Sequence, residues 1–242
     1  MSNLNNIIPF KSKVKAFFTG NCSRHTITHI ISPIFLLTYT ICVAISWILF
    51  PDFIWTEMFI STLGDPIKNP IGWIIWSIGH AVAGVLLIPM VFYIKHHIHL
   101  KRLRVQIGFL FLYLAPIGMI GLGLIPQFPG LPLALIHVIN ASFLLGGLYL
   151  GIWAIGPALL TAQPTSYKKL VPIFSLSYGI PLGFIIAQGI RMLAFSPESL
   201  VPFYLGFSMW EWILLYGIFI AFYLLFYMIP GDKLIKNTPQ VK

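Results

Sequence analysis

The sequence predicts an all-α membrane protein, a bundle of six transmembrane helices with both termini in the cytoplasm. Three observations lead there. Of 242 residues, 58% are apolar and only 9% charged, against roughly 25% charged in a soluble domain. The uncharged stretches are long enough to cross a bilayer, which takes roughly 20 residues. The remaining charges are sorted by sign along the chain. This balance excludes a soluble enzyme, a disordered chain and a disulfide-built secreted scaffold.

The spans follow in order. Thr26 to Pro51 carries no Asp, Glu, Lys or Arg and gives the first, near 27–50. Asn69 to Ile94 gives the second, near 70–94, with Asn69 expected as N-cap and Pro70 at the first helical position. Val105 to Tyr167 is too long for one helix. The cluster Pro126-Gln127-Phe128-Pro129-Gly130-Leu131-Pro132 splits it into spans near 105–125 and 133–160. Leu170 to Ile190 starts the fifth, near 170–195. Ser196-Pro197-Glu198 reads as a short helical start before the sixth, near 204–229. The predicted domains are a cytoplasmic tail over 1–26, the helical domain over 27–229 and a second cytoplasmic tail over 230–242. Pro89, Pro116 and Pro181 are expected to bend their spans. Gly147-x-x-x-Gly151 and Gly179-x-x-x-Gly183 are expected to bring helices close.

Charge sets the orientation. Lys11, Lys13, Lys15 and Arg24 precede span one, and Lys95, Lys101, Arg102 and Arg104 join spans two and three. Lys168 and Lys169 join spans four and five, and Lys233, Lys236 and Lys242 end the chain. A six-span model puts all of these on one side and leaves only Lys68 and Arg191 on the other. Asp52, Glu57, Asp65, Glu198 and Glu211 fall opposite them, with Asp232 alone among the basic loops. The positive side is cytoplasmic. The net charge of +9 therefore reports topology, and no nucleic-acid partner is expected. His96, His97 and His99 share a basic loop expected to face anionic lipid. The apolar run from Thr26 is too long for a signal peptide. Cys22 and Cys42 are about 30 Å apart on this model, beyond the reach of a disulfide.

The polar residues inside the spans are the candidate site. Ser77 and His80, His137 and Asn140, Gln188 and Arg191, and Ser208 and Glu211 are i,i+3 pairs, each sharing a helix face. All lie in the outer half on this topology, with His80 about 15 Å below the start of its helix. Ionisable groups in hydrocarbon gather in a bundle interior or wet cavity, so one outer pocket is expected, with Arg191 and Glu211 as its ion pair. Plainer readings compete. Glu211 between Trp210 and Trp212 fits an interfacial aromatic belt, Arg191 can snorkel to water, and each histidine can simply bond a neighbouring helix. The outer loop Pro51 to Asn69 is apolar around Glu57 and is expected to lie on the membrane or fold over the bundle. Ser61 and Asp65 on it are candidates for a lid, and Gly64 and Asp65-Pro66 for its turn.

Ile60-Ser61-x-Leu63-Gly64, Asn69-Pro70, Gly121-Leu122-Gly123-Leu124-Ile125-Pro126 and Leu135-Ile136-His137 together resemble a prokaryotic six-span domain-of-unknown-function family marked by an IS-x-LG motif. That family is distantly similar to the DRAM, Sfk and GPI-lipid-remodelling group. The resemblance covers residues 28–160 best. It implies a six-span fold in a lipid-related neighbourhood, and no particular reaction.

The expected function is that of a multi-pass membrane protein whose outer pocket binds a lipid headgroup or another small polar ligand, with membrane lipid as its partner. One alternative is a lipid hydrolase or transferase in which His80 and His137, with Asp65 or Glu211, hold zinc. Another is an ion-coupled transporter, disfavoured by the lack of a repeat and of inner-half charges. Haem on His80 and His137 is disfavoured too, because the usual second histidine pair is missing. No cofactor is predicted.

Overall fold

The computed structural model describes residues 10–98, 102–125, 127, 131–162, 167–195 and 202–229. Every regular element among them is helical. A short helix, α1 (Phe10–Phe18), precedes six helices long and apolar enough to cross a membrane. These are α2 (Arg24–Ile48), α3 (Gly72–His97), α4 (Leu103–Leu124), α5 (Pro132–Leu159), α6 (Val171–Ala194) and α7 (Phe207–Leu225). The protein is thus a six-helix multi-pass membrane protein by length and composition. Pro126 and Phe128-Pro129-Gly130 of the breaker cluster, His99, Ser196-Pro197-Glu198 and the 230–242 tail lie outside the described residues.

Neighbours in sequence pack as neighbours in space, α2 on α3, α3 on α4 and α4 on α5. Helix α7 closes the bundle against α5 and α6, and its aromatics reach α2 and α3. Phe35 meets Phe219 edge-on at 5.0 Å, Tyr39 meets Phe219 at 5.2 Å and Tyr93 meets Phe226 at 6.0 Å. Lipid tails are as apolar as these side chains, so close packing rather than water release holds the helices together. The closest seam is α4 on α5. A Cβ at Gly147 would stand 2.7 Å from the Phe111 carbonyl oxygen, and one at Gly151 would strike Leu112. The other small-residue pair divides: Gly183 lies against Trp210, while Gly179 faces open space.

Two prolines reshape their helices. Ser175–Gly179, just before Pro181, is a π turn, and so is Ile27–Ile31, just before Ser32-Pro33. Proline lacks an N–H and its ring crowds the preceding turn, so the helix widens there. In α2 the Ser32 hydroxyl donates to the Ile27 carbonyl at 2.8 Å.

Arg24 donates to the Tyr227 carbonyl at 2.6 Å, joining the start of α2 to the end of α7. At the opposite end, the segment between α2 and α3 is drawn over the helices. Trp47, Phe53 and Trp212 cluster there edge-on or tilted, with ring centroids 5.9 to 6.1 Å apart. The bundle thus has a basic end, at Arg24, and an acidic end, at Glu57 and Glu211.

A polar cavity at the acidic end

The segment after α2 sets one wall of the site. Phe50, Phe53, Ile60 and Leu63 are buried, so this loop folds over the bundle. Its Ile60–Gly64 stretch is a 3₁₀ turn. Asn69 fastens it: the side-chain N–H₂ donates to the Leu63 carbonyl at 2.9 Å and to Ser46 Oγ at 3.0 Å. Its Oδ1 accepts the Gly72 N–H at 3.1 Å. Asn69 therefore does cap α3, but from outside the regular helix. Pro70 and Ile71 form a turn, and the first regular residue is Gly72. Gly64 has an ordinary backbone, Gly20 being the single positive-φ glycine among the described residues. Its small size matters instead, since a Cβ there would stand 2.6 Å from the Trp76 ring.

Beneath this turn lies a cavity lined by Ser61, Trp76, His80, His137 and Glu211, with Leu122, Leu144 and Leu215 among its apolar walls. The cavity has a volume of about 30 Å³, enough to hold ordered water. Four separate elements supply its polar groups: the 3₁₀ turn, α3, α5 and α7.

The bonds already made define what remains. Glu211 is half-buried, and its Oε2 accepts the Ile60 N–H at 2.6 Å. The Ser61 N–H and hydroxyl also face this carboxylate. His80 is buried, with Nδ1 2.9 Å from the Trp76 carbonyl. A carbonyl only accepts, so Nδ1 carries the proton and Nε2 keeps a lone pair. The Ile125 carbonyl accepts from the His137 ring, and His137 Nδ1 is buried with no partner. Trp76 Nε1, Ser77 Oγ and Tyr39 Oη are likewise buried without partners. Trp76 packs on both histidines, 3.7 Å from the His80 ring and 6.2 Å from that of His137. Tyr39 meets His80 edge-on at 4.9 Å. So many orphaned polar atoms in one region mark a place where water or a ligand belongs.

The other candidates are used locally. Asp65 Oδ1 accepts the N–H groups of Ile67 at 2.8 Å and Lys68 at 3.2 Å, shaping the turn into α3 rather than facing the cavity. Ser208 donates to the Glu57 carbonyl at 2.7 Å, and Gln188 to the Leu205 carbonyl at 3.2 Å. Asn140 packs against Gly121 of α4. The expected Arg191–Glu211 ion pair does not form. Arg191 lies 5.1 Å over the Phe207 ring, a cation–π contact at the rim, while Glu211 turns to Ile60. Trp76 and Tyr39 were not among the sequence candidates. The only signal for them is the polar atom each carries into a span.

Among the described residues, no three His, Cys, Asp or Glu side chains converge as a metal-binding group. No protein-family model, curated protein or solved structure matches the chain.

Proposed function

We propose that this protein is a non-catalytic binder of the membrane's outer leaflet, taking a lipid headgroup or a small polar ligand into the cavity beneath the Ile60–Gly64 turn. The basic end faces the cytoplasm in this reading, as positive-inside sorting demands. The carrying observation is one small cavity lined by Ser61, Trp76, His80, His137 and Glu211, with Trp76 Nε1 and His137 Nδ1 buried and partnerless in the same lining residues. Leaving such groups unsatisfied costs about 1–3 kcal/mol each, so a guest that satisfies them is retained.

Native mass spectrometry of the protein released from its own membranes tests the reading. A bound lipid or small molecule is expected in the wild type and is lost in Ala141→Phe, which fills the cavity from α5. Bare protein in both would overturn it. The zinc-dependent hydrolase gains no support from the geometry, because His80, His137 and Glu211 do not close on one point. The resemblance of its short motifs to lipid-related six-span proteins supports a lipid ligand.

A further inference from the structure

Helix α1 is a built element at the basic end. It closes in a Schellman turn: the Gly20 N–H donates to the Phe17 carbonyl at 3.1 Å and the Asn21 N–H to the Ala16 carbonyl at 2.9 Å. Gly20 takes the left-handed conformation this turn needs, with φ +68°. A Cβ there would strike the backbone of Phe92 and Tyr93, so the turn lies directly on α3. Thr19 to Ser23 then lead straight into α2, which keeps α1 beside the bundle. Phe17 packs on the core, while Val14 and Phe18 stay 38% and 41% exposed. At roughly 3.6 residues per turn, Phe17, Val14 and Phe18 form one apolar arc of FKSKVKAFF. The same spacing sets Lys11 and Lys15 along one edge of that arc and Lys13 along the other.

No carboxylate among the described residues stands near these lysines, since Asp52, Glu57, Asp65 and Glu211 all lie at the acidic end. Other cations are spent within the protein. Arg24 donates to the Tyr227 carbonyl, Arg104 donates to the Trp153 carbonyl at 2.8 Å, and Lys95 lies 4.9 Å over the Phe109 ring. Lys15 is exposed. We propose that α1 docks in the plane of the membrane surface, with Val14 and Phe18 at the acyl boundary and its lysines on the phosphates of anionic phospholipid. Lysines on both edges of an apolar arc suit this placement: their stems follow the apolar surface and their ammonium groups reach the headgroups. Hydrocarbon covers the arc and the headgroups balance the charge. A second copy of the chain would cover the arc but bring its own three lysines against the first set. In the orientation proposed above, the leaflet concerned is the cytoplasmic one, which carries the anionic lipid. The inference stands apart from the cavity and its guest.

The test uses the full chain with a nitroxide label at Val14→Cys, in a Cys22→Ser, Cys42→Ala background. The protein is placed in nanodiscs of phosphatidylcholine alone or mixed with phosphatidylglycerol. Collisions with oxygen and with a water-soluble nickel chelate report whether the label lies in lipid or in water. With phosphatidylglycerol the label should meet oxygen and be shielded from nickel. Pure phosphatidylcholine, or about 1 M salt, where the Debye length is about 3 Å, should return it toward water. Each lysine at an anionic surface shifts such an equilibrium about fivefold. The Lys11→Gln, Lys13→Gln, Lys15→Gln triple variant should therefore lower the docked-to-free ratio at least tenfold. The salt arm needs no lysine variant, so it decides the matter should the triple variant fold poorly. A label in water in every disc overturns the docking. A label in lipid regardless of phosphatidylglycerol, salt and lysines overturns the anionic assignment. A label shielded from both reagents, or broadened by the label of a second copy, gives the face to a protein contact and overturns the proposal too.

Discussion

Glu211 and Ile60, 151 positions apart in the chain, are joined by a 2.6 Å hydrogen bond from the Ile60 N–H to the Glu211 carboxylate. The bond ties the turn over the cavity to α7 and holds the cavity's one carboxylate in place. It makes a stability prediction. Glu211→Ala leaves a buried N–H unpaired and should cost about 1–3 kcal/mol, whereas Glu211→Gln keeps an acceptor and should stay close to wild type. Thermal unfolding in one detergent ranks the three proteins. Equal losses in both variants would mean that the bond does not hold the turn.

Arg191 and Glu211 should contribute independently to stability. Arg191→Gln removes a rim cation–π contact worth about 0.5–1 kcal/mol. In a double-mutant cycle with Glu211→Gln, the coupling should lie within about 0.5 kcal/mol of zero, as for sites sharing no partner. A larger coupling would restore the ion pair.

Gly64→Ala places a methyl group against the Trp76 ring. The ring must shift, and with it the stack on His80. The expected result is a loss of about 1–3 kcal/mol, as in other overpacked sites, with a changed tryptophan emission spectrum. An unchanged spectrum and melting temperature would show that the turn does not rest on Trp76.

Cys22 gives a pH prediction from outside the spans. Burial disfavours its thiolate and pushes the thiol up from 9.0 to about 11. A raised value means less thiolate at any pH below it, so alkylation at pH 8 should run about a hundredfold slower than for an unshifted thiol. The rate should climb about tenfold per pH unit and level off only near pH 11. In a Cys42→Ala background, maleimide labelling against pH measures it, and a plateau near pH 9 would contradict the burial.

The six helices were legible because hydrocarbon and charge leave unambiguous marks: uncharged runs of bilayer length with loops sorted by sign. His80, His137 and Glu211 stand out in the sequence for the same reason, as each is costly in a span unless it faces something polar, and all three line the cavity. Asp65 and Arg191 were harder. A carboxylate beside a proline serves a turn as readily as a site, and Arg191 near the rim satisfies itself on an aromatic face, which residue type alone does not reveal. Trp76 and Tyr39 pass as packing residues in any apolar helix, and only coordinates show that their polar atoms end unpaired. Gly64 suggested a special backbone, yet its real constraint is a ring from a helix that starts eight residues later. The π turns lie beside Ser32-Pro33, where the sequence raised no expectation, and Pro181, where it suggested only a bend.

These polar groups should share one cavity with a guest in it. A high-resolution experimental density map of the protein in native lipid tests this most directly. The expected result is ordered non-protein density within hydrogen-bonding distance of Trp76 Nε1, His137 Nδ1 and Glu211. A dry, collapsed space, with the two histidines and the carboxylate turned separately toward acyl chains or solvent, would contradict it.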